Sequence, residues 1–205
     1  VVPKSIKCFR RLLLLCGSRG PEAHRNFQKL MIACSMVRSE IPIAILVALG
    51  SEPTVEQLED FLPNLGYVPA SFVDNEIDAQ SSWTNGTFNI FFGEGKFQQW
   101  ASLAEVGLAT AGTATEQLVG LGIPALSIPG EGPQFNKSFA ARQSRLLGGA
   151  VKVCKSTALL AAHIEILLND ELMRQTLGRV GSRRMGPNGG SVVLAGLISG
   201  FLLAD

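Results

Sequence analysis

The sequence predicts an α/β domain: an open, doubly wound parallel sheet of six strands flanked by helices. Three observations predict it. Six short apolar runs, at Leu12–Cys16, Ile43–Leu49, Phe88–Phe92, Val106–Ala111, Ala125–Ile128 and Ala150–Cys154, lack the alternation of a half-exposed strand and fit strands covered on both faces. Stretches with helical spacing or helix-opening residues separate them. Glycine turns follow several of the runs, as expected where a parallel strand hands over to a right-handed crossover.

Taken in order, Leu12–Cys16 ends in Gly17-Ser18-Arg19-Gly20-Pro21, and Pro21 and Glu22 suit a first helical turn. Phe27, Leu30, Met31, Cys34 and Val37 share one face of a helix over 22–38. Pro42 precedes the second strand, which stops at Gly50, and Thr54–Leu62 reads as a short helix with an acidic outer face. Residues 63–87 carry no period. Pro63, Asn64, Gly66, Pro69, Asn75, Asn85 and Gly86 punctuate them, and the segment reads as a long loop or a short irregular strand at Gly66–Val68. Phe88–Phe92 ends at Gly93-Glu94-Gly95, and Phe97–Leu103 is a helix carrying Trp100. Val106–Ala111 then breaks at Gly112; Thr113 and Thr115 open a helix that Gly122 and Pro124 close before Ala125–Ile128. A helix at Asn136–Leu147, a strand at Ala150–Cys154 and helices over much of 156–181 follow. The final run, Ser191–Leu203, is apolar along nearly its whole length but shorter than the ~20 residues of a membrane span. It fits a terminal helix packed on protein, or a contact with a membrane surface.

Composition narrows the function. At 205 residues the chain is most simply one domain, 1–205. Eighteen basic and seventeen acidic side chains give no argument for nucleic acid as a partner. Charged residues at 17% against 46% hydrophobic lean toward a buried sheet and a surface covered by something else. Val1 in place of an initiator methionine is the pattern of a fragment or a processed form. Cys8, Cys16, Cys34 and Cys154 have neither metal-ligand nor redox spacing; three of them sit in apolar runs and read as small hydrophobes in a reducing compartment, and no metal is expected. Asn85-Gly-Thr and Asn136-Lys-Ser match glycosylation sequons by chance in a chain that reads as cytosolic.

In a doubly wound sheet the ligand crevice lies at the carboxyl ends of the strands. Helix starts there expose unpaired amides and a positive dipole end, which attract phosphate. Gly112-Thr113-Ala114-Thr115 offers amides and two hydroxyls, suited to a pyrophosphate; Glu116 suits a ribose diol, since a carboxylate accepts two hydroxyl hydrogen bonds. Gly17-Ser18-Arg19-Gly20 supplies a second anion contact through the Arg19 fork. The alternatives are structural: an ordinary helix cap, and an acid that compensates the dipole. Neither a Walker lysine nor a Gly-x-Gly-x-x-Gly fingerprint is present, and His24 and His163 form no triad. Arg179, Arg183 and Arg184 read as a solvated basic face or as a contact for an anionic lipid head group.

The stretch from Ala104 to Pro129, with its strand, Gly112 turn, Glu116 and Gly122-Ile-Pro124, resembles the donor-binding signature of GT-B glycosyltransferases. Leu12–Glu22 resembles the glycine turn of lipid-A-disaccharide synthase. Gly130-Glu-Gly-Pro-Gln-Phe with Phe139–Gly148 resembles a related group from photosynthetic lineages. The resemblance implies a nucleoside-diphosphate sugar, UDP-linked, as donor substrate, with no further cofactor. Gly112, Thr113, Ala114 and Thr115 would hold the pyrophosphate and Glu116 the ribose. Gly93, Glu94 and Gly95 would border the base, Gln134 the sugar or phosphate, and Gly17, Ser18 and Arg19 the cleft. It also implies a lipid-linked acceptor, and an N-terminal acceptor half, fused or separate, that carries the catalytic base. Residues 190–205 would pack on that half. The place implied is the cytoplasm or plastid stroma, with peripheral membrane contact. A UDP-sugar 2-epimerase and a non-catalytic binding or scaffolding module are the competing readings.

Overall fold

The computed structural model describes residues 2–71, 77–187 and 189–202. Its strands are β1 (Arg10–Leu15), β2 (Ile43–Leu49), β3 (Val68–Pro69), β4 (Ser81–Thr84), β5 (Phe88–Glu94), β6 (Val106–Ala109), β7 (Ala125–Ser127) and β8 (Val151–Val153). Its helices are α1 (Gly20–Ser35), α2 (Val55–Glu59), α3 (Phe97–Ala101), α4 (Thr113–Gly120), α5 (Lys137–Leu146), α6 (Thr157–Asn169), α7 (Glu171–Met185) and α8 (Gly190–Leu202). They build one sheet in the order β3-β4-β5-β2-β1-β6-β7-β8. All neighbours from β5 to β8 pair parallel, and β3 and β4 pair antiparallel at the edge. The parallel part has the doubly wound order in which the winding reverses between β1 and β6.

The unbroken apolar runs follow from covering the sheet on both sides. Successive strand side chains point to opposite faces. Leu12 and Leu14 enter the layer with Phe27 and Leu30 of α1 and Ile164 of α6. Leu13 and Leu15 enter the layer with Trp100 of α3 and Leu118 of α4. All four leucines are at most 4% exposed, so each contributes about 1.5–3 kcal/mol of burial. An alternating strand would forgo half of that.

The sheet has eight strands, two more than expected, because part of 63–87 folds back on β5. Residues 72–76, which include Asn75, lie outside the described residues. β4 is polar and half-buried, which hid it from hydrophobic patterning. It joins β5 through Asn85-Gly86: Gly86 takes φ +94°, and the Asn85 side chain accepts from the Phe88 amide at 2.9 Å. The Asn85 amide donates to Phe88 O at 3.2 Å, so Gly86 and Thr87 are the two central residues, and glycine in the first of them is a favoured hairpin turn. Trp83 of β4 donates to Glu59 of α2 at 2.8 Å, fixing that edge to the body. The 156–181 stretch divides into α6 and α7 at Asp170, whose side chain caps α7 by accepting from Met173 N at 2.8 Å. α8 differs from every other helix. Each of its described side chains is exposed, with Val192 at 74% and Phe201 at 83%. Leu203, the expected end of this helix, lies outside the described residues.

At the amino end of the sheet, Glu105 gathers three arginines. Its carboxylate lies 3.1 Å from Arg10, 3.7 Å from Arg11 and 3.5 Å from Arg174, and it accepts from the Arg11 amide at 2.9 Å. Burial, with Arg10 alongside, lowers the pKa of Arg174. Glu105→Gln removes the carboxylate the three guanidinium groups share and leaves only Glu171 and Asp170 near Arg174, a loss of about 2 kcal/mol after allowing for partial exposure. The thermal midpoint should fall by about 4–8 °C, read by circular dichroism; a midpoint within a degree of wild type would show that the network is idle.

Three of the four cysteines pack as expected of small hydrophobes. Cys16 and Cys34 are buried and their pKa values are pushed up to about 12 by desolvation; burial also raises Cys154, while Cys8 is exposed. A raised pKa keeps the thiol protonated at pH 8. A thiol-disulfide reagent at that pH should therefore titrate Cys8 alone in the native protein and all four after denaturation. Rapid native labelling of Cys16 or Cys34 would contradict this packing.

Candidate functional site

The winding reversal exposes a cleft of about 630 Å³ above the carboxyl ends of β1 and β6. β1 and β6 stay joined to its rim, because the Thr110 amide donates to Leu15 O at 2.9 Å and its hydroxyl to the same atom at 3.3 Å. Beyond this point β1 turns through Gly17 at φ +100°, a region closed to most side chains, and the Asn26 amide group holds Cys16 O at 3.2 Å. α1 and α4 both begin at the cleft. Among the described residues, the Thr113 and Ala114 amides have no carbonyl partner, as the first turn of a helix dictates. Gln143 of α5 donates to the carbonyls of Ala111 and Gly112, at 3.4 and 3.1 Å, and so fixes the turn that aims those amides.

A third side is supplied by the chain after β7. Glu22, only 8% exposed, accepts from the amides of Phe135 at 2.9 Å and Gln134 at 3.4 Å. Lys29 donates to Pro129 O at 3.0 Å. The segment passes so close to α1 that a Cβ on Gly132 would lie 2.1 Å from the Glu22 carboxyl carbon, and one on Gly130 2.6 Å from Asn26 Oδ1. Glycine is required at both positions. Phe135 and Phe139, with ring centroids 5.4 Å apart, close the wall beside Gly112.

Seven of the expected residues meet here: Gly17, Ser18, Arg19, Gly112, Thr113, Ala114 and Gln134. Five do not. Thr115 is fully buried and its hydroxyl donates to Ala111 O at 2.6 Å, so it braces the turn and has no proton to offer a ligand. Glu116 does not line the cleft; Gln117 does, because one helical step rotates a side chain by about 100°. Gly93, Glu94 and Gly95 stand at the end of β5, outside the lining, with the Gly95 amide bound to Leu49 O at 2.9 Å and the Glu94 amide to Gln80 at 2.7 Å. Ala48, Leu49, Gly50 and Phe97 form that side of the cleft instead. Glu22, Asn26, Gln117 and Gln143 were not foreseen as site residues. Only Gln117, next to the helix start, carried a local signal. Among the described residues no group of three or more His, Cys, Asp or Glu is placed to hold a metal ion, and no helix is long and apolar enough to cross a membrane.

An α/β domain with a cleft at its winding reversal and two helix starts facing it is the doubly wound class of fold, in which ligands sit at the switch point. Solved structures narrow the class. The chain is similar to WaaG, a glycosyltransferase of lipopolysaccharide biosynthesis, at 13% identity and TM-score 0.62 over 98% of this chain and 49% of that one. It is similar to a protein from Listeria monocytogenes assigned as a UDP-N-acetylglucosamine 2-epimerase, at 13% identity and TM-score 0.60 over 98% and 48%. It is also similar to the C-terminal CMP-Kdo binding domain of WaaA from Acinetobacter baumannii, at 12% identity and TM-score 0.61 over 89% and 92%. The fold is therefore that of the C-terminal, Rossmann-like domain of GT-B glycosyltransferases, and the chain spans about half the length of the first two structures. No family model and no curated protein sequence matches it.

Glu22→Ala removes the acceptor that ties residues 134 and 135 to α1. Each lost charge-assisted bond is worth about 1.5–3 kcal/mol, so the Gln134 and Phe135 amides should exchange with deuterium at least about tenfold faster. Unchanged protection would mean that the third wall stands without this tie.

Proposed function

We propose that this chain is the donor-binding half of a glycosyltransferase that uses a nucleoside-diphosphate sugar, UDP-linked, to glycosylate a lipid-type acceptor. The observation that carries the reading is the convergence of two helix starts and Arg19 on one cleft. The free Thr113 and Ala114 amides bind the diphosphate, and the glycine at 112 lets it approach the backbone. Arg19 adds a charged fork from the opposite rim. Gln117 takes the ribose: its carboxamide oxygen accepts from one hydroxyl and its NH₂ donates to the other. Gln134, at the edge of the third wall, faces the sugar or its phosphate.

In this arrangement the protein stabilises the charge that develops on the leaving diphosphate, where one well-placed donor is worth about 10²–10³ in rate. Activation of the acceptor hydroxyl belongs to an N-terminal half, fused or separate. The apolar α8, uncovered here, docks on that half, which also holds the lipid acceptor near a membrane surface. The similarity to an assigned UDP-N-acetylglucosamine 2-epimerase supports a second reading, in which the same cleft holds UDP-N-acetylglucosamine for isomerisation; product analysis with that compound separates the two.

Calorimetric titration with UDP should show one saturable site. Gln117→Ala should weaken it by about tenfold, the worth of a pair of uncharged hydrogen bonds, and Glu116→Ala by less than about twofold. Failure of the wild-type protein to bind UDP, or a larger loss at Glu116 than at Gln117, would overturn this assignment. Steady sugar transfer by the chain without a partner would overturn the division of labour between halves.

A further inference from the structure

A second concavity lies on the opposite flank, away from the winding reversal. β8 is the outermost strand there, and a groove of about 890 Å³ runs along it between α5 and the α6–α7 pair. It shares no lining residue with the cleft at β1 and β6. Leu126, Val151 and Leu167 lie behind the groove, each at most 3% exposed, and half-buried Val153 and Leu177 form its apolar surface. Ile166 and Met173 form its rim at 45% and 41% exposure. The volume is that of a site for a small apolar ligand, about 300–1,000 Å³.

The charge around that surface is of one sign. Arg145, Lys152 and His163 line the groove, and no Asp or Glu does. Arg145 and Lys152 are exposed, and neither forms an ion pair among the described residues. His163 commits Nδ1 to the Leu159 carbonyl at 2.7 Å, which leaves its other ring nitrogen for a ligand. Long basic side chains lay their aliphatic stems along apolar surface and keep the charged head at the mouth. An apolar trough rimmed by unpaired cations complements a molecule with an aliphatic chain and one anionic head. A nucleotide would not find the Arg19 fork and the Thr113 and Ala114 amides of the first cleft.

We propose that the β8 groove binds a long-chain carboxylate, with its chain along Val153, Ile166, Met173 and Leu177 and its head group against Arg145 and Lys152. This site is independent of the sugar-nucleotide reading, and a failure of either leaves the other standing. The test is calorimetric titration of the whole chain with monomeric dodecanoate. One saturable site is expected, with octanoate weaker by on the order of 10²-fold, because each buried methylene is worth about fourfold. The uncharged alcohol of the same length should bind at least about tenfold more weakly, for want of charge-assisted hydrogen bonds. The Arg145→Glu/Lys152→Glu variant, and Lys152→Glu read beside it, should weaken dodecanoate by about tenfold or more with an unchanged thermal midpoint. Val193→Lys/Phe201→Lys, on the exposed α8, should bind as wild type does. The proposal fails if dodecanoate does not saturate, if charge reversal leaves its affinity unchanged, if the α8 variant abolishes binding, or if only anionic vesicles bind.

Discussion

The pairing of β1 with β6 is the constraint from which the rest of the structure follows. Leu12 to Leu15 stand in register with Val106 to Ala109, and Thr110 repeats the link one residue past the strand end. From β1 the chain crosses to β2, and from β6 it crosses the other way to β7. No crossover can then cover the gap between the two strand ends. Both following helices must begin at that gap, so the unpaired amides of two first turns are delivered to one place. A side chain at Gly17 would strain the left-handed turn that starts α1 and push that helix away from the gap.

An open gap is not a binding site until its sides are fixed, and here α1 fixes the third side. Glu22 places an acid in a cleft otherwise suited to anions. Its oxygens accept from the amides at 134 and 135, so the charge anchors a wall rather than standing free to repel a ligand. Against it stand Arg19, which is exposed and screened, and two helix ends worth about 0.3–1 kcal/mol each. These terms are of similar size and partly opposed. Electrostatics alone therefore favour an anion only modestly, and on the proposed function shape, glycine approach and the Gln117 carboxamide supply the remainder.

Local pattern carried the sheet and the turns because both are written within a few residues. Leu12–Leu15 and Ile43–Leu49 are apolar at every position, and burial on both faces is their simplest cause. The Gly17–Arg19 and Gly112–Ala114 turns were legible for the same reason. What pattern left out depends on distance or on phase. Glu22 reads as an ordinary first-turn acid, because its partners lie more than a hundred positions away. Gln143 and Asn26 are similarly silent. Glu116 and Gln117 differ by one helical step, and only the burial of Thr115 fixes which of them faces the cleft. β4 is the opposite case: Asn85 and Gly86 read only as punctuation, and the polar run before them masked the strand they turn back.

α8 is the one helix here with no packed face among its described residues. Its thirteen residues extend about 20 Å, less than the ~30 Å of a bilayer core, yet its described side chains are exposed on every face. A helix that is apolar all round is stable only when something surrounds it. The domain's own core needs nothing from it, since both sheet faces are already closed by α1, α3, α4 and α6. A cover for α8, on the proposed function, therefore lies outside these layers. On the proposed function that cover is the acceptor half, which also supplies the base worth about 10²–10⁴ in rate. The cleft supplies a comparable factor by holding the leaving group, so neither half alone reaches an enzymatic rate. An apolar helix that drives the halves together then bears on catalysis without touching a substrate.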